Sequence, residues 1–408
     1  MTAAETEFAP SKPLARSTSA TAALPLPFAG AMAIFTFWAV DATSPALNNL
    51  RDDLGMSAAA AGLVFSLFFC GRILGGLPAG LLADRIGPAL TAATGASLLL
   101  VGGALVTAAM NAPMVLGGRL VEGVGIALMV TAILLSILRA RPAGGAAMSL
   151  FTFVSTIGSM TGLILGGILT GVFSWRATLS MHVVLGAAAL FVALLAWSRT
   201  RSAAPSVADH SSASVVPFPR RALSVAMLNQ LLVYMNYSVF VVSVPLYADA
   251  RFDAKPAQIS ALLMVQTICH FVFAYPGGWL VRRYGSLTVL SGAILMAGAG
   301  IVLLLAAPGI WWLILPMAIY STGQVTAVTS SGDYILQRGG RSGQAVGWMR
   351  LSGDLGLVFG PVLVGLVADL FGYRSPFMVL PIVTATGVLL AVTRLRRSPL
   401  ESPVLARS

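Results

Sequence analysis

Twelve separate runs of about twenty mostly apolar residues constrain this 408-residue chain more than any other feature. They fall at 28–48, 58–82, 89–110, 114–138, 146–172, 177–198, 223–247, 257–280, 287–307, 310–334, 343–370 and 376–394. A hydrocarbon core about 30 Å thick takes a helix of about 20 residues, and a backbone in lipid has to satisfy its own hydrogen bonds. Each run is therefore expected to span a membrane as a helix. A β-barrel would need short alternating segments, and the sequence has none. Only 10% of residues are charged, against about 25% in a soluble domain. The predicted fold class is an all-α membrane protein with twelve transmembrane helices.

The net charge of +11 does not point to nucleic acid, because the basic residues sit in short loops between the runs. Seventeen Lys and Arg fall on the side of the termini and five on the other, Arg51, Arg176, Arg251, Lys255 and Arg374. Three more, Arg72, Arg119 and Arg350, lie within spans. This bias predicts a multi-pass protein of the cell (inner) membrane with both termini cytoplasmic. Cys70 and Cys269 lie inside apolar runs and are expected to pack as small hydrophobes. The first residues lack a basic region followed by an apolar core, so no cleavable signal peptide is expected.

The longest hydrophilic stretch between spans, 199–222, divides the chain six helices from six. The predicted organisation is a disordered cytoplasmic tail (1–27), an N-terminal six-helix bundle (28–198), a cytoplasmic linker (199–222), a C-terminal bundle (223–394) and a tail (395–408). The bundles repeat in sequence. Gly80-Leu81-Leu82-Ala83-Asp84-Arg85-Ile86-Gly87 aligns with Gly278-Trp279-Leu280-Val281-Arg282-Arg283-Tyr284-Gly285. Gly158, Gly162 and Trp175-Arg176 align with Gly356, Gly360 and Tyr373-Arg374, at the same offset of 198. Three sites at one offset indicate duplication, hence two bundles related by a pseudo-two-fold axis.

Several motifs carry a family resemblance. Gly80-x-Leu82-Ala83-Asp84-Arg85-x-Gly87 resembles the diagnostic loop motif of the major facilitator superfamily, although Pro88 and Ala89 stand where that motif is usually basic. The resemblance implies that Gly80, Asp84, Arg85 and Gly87 form a conformational latch. Arg119-x-x-x-Gly123-x-Gly125 is similar to the family's fourth-helix motif. Gly158-x-x-x-Gly162-Leu163-x-x-Gly166-Gly167 is similar to its drug/proton antiporter motif, with leucine replacing proline; the second copy, Gly356-x-x-x-Gly360-Pro361, keeps the proline. These glycines either only pack helices or also couple their motion. Asp41-x-Thr43-Ser44-Pro45-Ala46-Leu47 resembles the first-helix signature of twelve-helix drug and metabolite efflux members. The resemblance covers nearly the whole chain and implies alternating access.

Charges inside spans are costly and mark function or pair with one another. Asp41 lies about 10 Å from the outer end of its helix and Arg119 about 8 Å into its span, at 1.5 Å per residue. Their depths let them pair, as a proton-coupling device or as a permanent ion pair. Glu122, one turn beyond Arg119, is the second proton-carrier candidate. Arg72 has no partner by depth alone, while Arg350 and Asp354 are spaced to satisfy each other on one helix face. Cavity candidates are Arg72, Gln230, Tyr234, Gln266, His270 and Gln324. Gln230 with Tyr234, and Gln266 with His270, share faces by their four-residue spacing. A lone histidine in an apolar helix, such as His270, is more often a hydrogen-bonded core residue than a proton relay.

No catalytic constellation, metal-ligand spacing or G-x-x-x-x-G-K-[ST] loop occurs, so neither enzyme, metal, cofactor nor ATP hydrolysis is expected. The sequence reads as a monomeric, proton-coupled antiporter that exports a small amphipathic, drug-like compound or metabolite. The partners are then that substrate, protons and the lipid bilayer, with no nucleic acid. Two alternatives stand: a proton-coupled importer of a small organic anion, and a non-transporting membrane receptor or scaffold.

Overall fold

The computed structural model describes residues 25–140, 144–200, 220–338 and 343–397. The expected tails (1–27 and 395–408) and linker (199–222) lie outside the described residues, except that 25–27, 199–200, 220–222 and 395–397 belong to helix ends and their cap. The first half comprises α1 (Leu26–Asp41), α2 (Thr43–Asp53), α3 (Ala58–Ile86), α4 (Pro88–Thr107), α5 (Ala112–Ala140), α6 (Gly144–Val172) and α7 (Trp175–Thr200). The second comprises α8 (Arg220–Ser238), α9 (Val244–Phe252), α10 (Pro256–Tyr284), α11 (Ser286–Leu305), α12 (Ile314–Arg338), α13 (Gly343–Phe371) and α14 (Pro376–Arg397). Because α1 and α2 form one broken span, and α8 continues through a π-helical turn (Val239–Ser243) into α9, there are twelve spans among the described residues. Each matches one predicted run.

The two broken spans break for a reason visible in sequence. Proline has no N–H for the carbonyl four residues back. Pro45 follows the break after Asp41, and Pro245 follows the π turn. The Val241 carbonyl, four residues before Pro245, accepts instead from the Ser44 hydroxyl of the other half at 3.0 Å. Asn48 Nδ2 donates to the Pro245 carbonyl at 2.8 Å. Two helix breaks thus become cross-half contacts.

The repeat extends to backbone geometry. Gly55 and Asp253 have positive φ (60° and 49°), as do Gly87 and Gly285 (84° and 81°). Both pairs keep the offset of 198. Within the first half, Gly158, Gly162 and Gly166 on α6 lie against the carbonyls of Ile34, Trp38 and Ala42 on α1. A Cβ there would sit 2.5, 2.5 and 2.8 Å from those oxygens, so the helices touch backbone to backbone.

We call the end of the bundle holding the α2–α3 and α9–α10 turns distal, opposite residues 26 and 397. At this end the halves are sewn together. Asp369 of α13 accepts the N–H groups of Ala58 and Ala59, each at 2.8 Å, and so caps α3. Gly62 meets the Pro361 carbonyl, Gly365 meets the Ala58 carbonyl, and Gly167 meets Ser260. Arg51 reaches Tyr373 Oη at 3.2 Å.

Eleven of the twelve spans are long and apolar enough to cross a membrane on composition alone; α12 is not among them. Its Ser321, Gln324, Ser330 and Ser331 are buried against protein, which explains how a helix this polar sits among apolar ones.

Candidate functional site

Two clusters of ionisable side chains lie within the spans. The first is wholly inside the N-terminal half. Arg119 and Glu122 on α5 are three residues apart and pair through Nη1 and Oε2 at 2.5 Å. The other carboxylate oxygen of Glu122 meets His182 Nδ1 of α7 at 2.8 Å. Arg119 lies over the Phe68 ring at 4.4 Å and its Nε approaches the Val64 carbonyl at 3.4 Å. All three are fully buried. Each charge is compensated on the spot, as buried charges must be.

The expected pairing of Asp41 with Arg119 is therefore corrected. Helical spacing gave Arg119 a carboxylate on its own helix, three residues away, which no cross-helix partner of matching depth displaces. His182 belongs to no motif in the sequence and lies on a different helix, α7. The signal available was a buried Arg–Glu pair with a carboxylate oxygen to spare.

The second cluster lies where the halves face each other. Asp41, at the end of α1, is half-buried, with Ser159 of α6 and the cation of Arg72 as its polar neighbours. Arg72 Nη2 of α3 bonds Asp354 Oδ1 of α13 at 3.1 Å, so it has a partner after all, from the other half. Arg350 Nε stands farther from the same carboxylate, at 4.0 Å. Asp354 thus serves two arginines and not the expected one. Arg72 also lies 5.2 Å from the centre of the Phe69 ring.

Around these charges, Tyr237 stacks on His270 with ring centres 6.2 Å apart, and the Tyr234 ring packs against Gly353. Gln230 Oε1, Gln266 Nε2, His270 Nε2, Trp38 Nε1 and Arg72 Nε are buried with no hydrogen-bond partner among the described residues. Buried polar atoms are ordinarily paired. Gln324 is different, because both ends of its amide are engaged by α8: Nε2 donates to the Val233 carbonyl at 2.7 Å, and Oε1 accepts from Asn236 at 3.1 Å. It is a helix-to-helix tie.

The predicted latch shows no such engagement. Gly87 turns the chain at positive φ, Asp84 and Arg85 are exposed, and a Cβ on Gly80 would meet nothing within 4 Å. From the distal end, hydrogen bonds and ion pairs between the halves run as far as Arg72–Asp354. The second-copy glycines Gly356 and Gly360 pack α13 on α8, against Leu231 and Ser238, while Pro361 meets Gly62 across the halves.

A family model described as Major Facilitator Superfamily matches residues 28–228 and 226–407, one match per half. A methylenomycin A resistance protein of Bacillus subtilis is 29% identical over 167 residues, covering 39% of this chain and 35% of that protein. The uncharacterized MFS-type transporter EfpA of Mycobacterium tuberculosis is 31% identical over 161 residues, covering 38% of this chain and 30% of EfpA. The chain thus spans about a third of the length of the curated relatives it matches. Among solved structures, a POT family transporter in complex with 5-aminolevulinic acid superposes with a TM-score of 0.74 at 13% identity, over 91% of this chain and 96% of that one. The nucleoside transporter NupG superposes with a TM-score of 0.70 at 12% identity, over 91% and 98%. At these identities the superpositions speak for the fold alone.

Proposed function

Since the chain belongs to the major facilitator superfamily, we propose that it is a proton-coupled antiporter exporting a small amphipathic compound by alternating access. It acts as a monomer of the inner membrane with both termini cytoplasmic. The resistance protein among its relatives favours efflux.

One observation carries the proposal: the half-buried Asp41 carboxylate at the interface of the halves, with Arg72 and Ser159 as its polar neighbours. Proton uptake there removes a negative charge next to an arginine whose own ion pair, with Asp354, bridges the halves. With that charge gone, Arg72 binds Asp354 without competition; with it restored, Arg72 is shared. Proton binding at Asp41 and the strength of a contact between the halves are thereby linked. Arg119 and Glu122 enter this scheme as the fixed scaffold of the first half and not as proton carriers.

The compound sits between the halves, against the Tyr237–His270 stack and Trp38, where the unpartnered amides of Gln230 and Gln266 offer it hydrogen bonds. With the termini inside, the distal seam is the external gate. The deciding experiment measures flux in proteoliposomes under an imposed proton gradient. Asp41→Asn should abolish pH-driven exchange; undiminished exchange would refute the coupling role. The anion-import alternative draws on Arg72, whose Nε is unpartnered. It would show as anion uptake that survives Asp41→Asn and disappears with Arg72→Ala.

A further inference from the structure

The internal repeat puts matched positions of the two halves at the distal end, and one matched pair is opposite in charge. In the first half, Asp53 at the end of α2 accepts Arg176 Nη1 at 2.6 Å and Trp175 Nε1 at 2.9 Å. Arg176 also donates to the Ala109 carbonyl at 3.1 Å. The positions 198 residues later are Arg251, Arg374, Tyr373 and Ala307. Arg374 keeps the backbone part of the arrangement, with Nη2 3.5 Å from the Leu305 carbonyl. The carboxylate, however, has become the guanidinium of Arg251.

A cavity of about 530 Å³ opens here, lined by Tyr247, Arg251, Phe371, Tyr373 and Arg374 among others. Of the four arginines at this end, Arg51 and Arg176 have carboxylate partners. Arg251 and Arg374 have none among the described residues. The neighbouring carboxylate, Asp249, stands 3.6 Å from Arg51. Tyr247 is only 1% exposed, held edge-on by Phe252 and Phe377, and its hydroxyl has no hydrogen-bond partner among the described residues. Arg251 and Arg374 are both exposed on the cavity wall, and two cations without carboxylate partners there make a positive field that favours an anion between them.

We propose that this cavity binds a phosphate-type anion, whose charge takes the place that Asp53 fills in the first half. Guanidinium groups suit phosphate because their forked donors match its oxygens. The anion is free phosphate or the headgroup of an anionic phospholipid. Exposed Leu370 and Phe371 (73% and 72%) provide an apolar rim beside the cavity where acyl chains would lie. The site does not rest on the transport reading; it borders the distal seam, because Tyr373 on its wall also meets Arg51 of the first half.

The full chain, purified in a neutral detergent, is tested in two arms. Thermal melting is followed with inorganic phosphate against chloride at equal ionic strength. Native mass spectrometry compares retained phosphatidylglycerol with phosphatidylcholine. A rise in melting temperature with phosphate identifies the free anion. Selective retention of phosphatidylglycerol without a phosphate response identifies the headgroup. Arg251→Asp rebuilds the first-half ion pair within the cavity, so it should keep or raise the basal melting temperature. It should also weaken anion binding at least about tenfold, the usual consequence of losing charge-assisted hydrogen bonds. Arg374→Gln should weaken binding likewise, and Arg251→Gln decides the matter if Arg251→Asp does not fold. The proposal falls if the wild-type chain responds in neither arm, or if the folded variants bind as the wild type does.

Discussion

Replacing Asp369 with alanine removes the carboxylate that holds the first turn of α3 from the other half. Its two oxygens accept the N–H groups of Ala58 and Ala59, each at 2.8 Å. A side-chain cap contributes about 1 kcal/mol, up to about 2, and a negative charge at a helix N-terminus adds about 0.3–1 kcal/mol. Asp369 is exposed, so salt screens part of the second contribution. A total of about 1.5–2 kcal/mol is expected, and each 1.4 kcal/mol is tenfold in an equilibrium constant. Because the cap joins two bodies, its loss falls on the balance between closed and open seam, shifting it about 10- to 30-fold toward open. Spin labels at Met110 and Trp312, both exposed at the distal end (86% and 70%), report the separation in a variant with Cys70 and Cys269 replaced by serine. Double electron–electron resonance should show Asp369→Ala gaining the longer-distance population. An unchanged distance distribution in a well-folded Asp369→Ala protein would refute the reasoning.

Other outcomes follow from the same geometry. Glu122→Ala leaves Arg119 buried without its counter-charge and should cost about 3–5 kcal/mol, read as a large drop in melting temperature. His182→Ala, which keeps the Arg119–Glu122 pair, should cost less than half of that. Gly162→Val drives side-chain atoms into the Trp38 carbonyl and should abolish a monodisperse peak in size-exclusion chromatography, whereas Gly80→Val, in open space, should leave it intact. Ser44→Ala withdraws the donor to the Val241 carbonyl; a loss of about 1 kcal/mol should appear as a smaller shift in the same distance measurement.

Span positions were legible because lipid makes apolar length nearly sufficient evidence for a helix. The two-fold repeat was legible too, since one offset relates glycines, turns and positive-φ residues alike. The charge pairing was not. Depth along separate helices says which groups lie level, but not which way each faces, and so it matched Asp41 with Arg119. Facing is set by packing: Gly71 and Gly123 bring α3 and α5 into backbone contact, which fixes where Arg119 and Arg72 point. Asp354 shows the same limit, since its spacing to Arg350 was visible while its closer partner, Arg72, lies 282 positions away. The Asp369 cap left no local trace, because the helix it caps belongs to the other half.

The polar character of α12 bears on how the chain is made. A segment with buried Ser321, Gln324, Ser330 and Ser331 gains little from entering lipid alone. Its ties run to Val233, Asn229 and Asn236 on α8, a helix synthesised earlier, and it packs along the strongly apolar α11 that immediately precedes it. The expected order of biogenesis is that α11 and α12 enter as a hairpin and α12 is then held in the membrane by docking on α8.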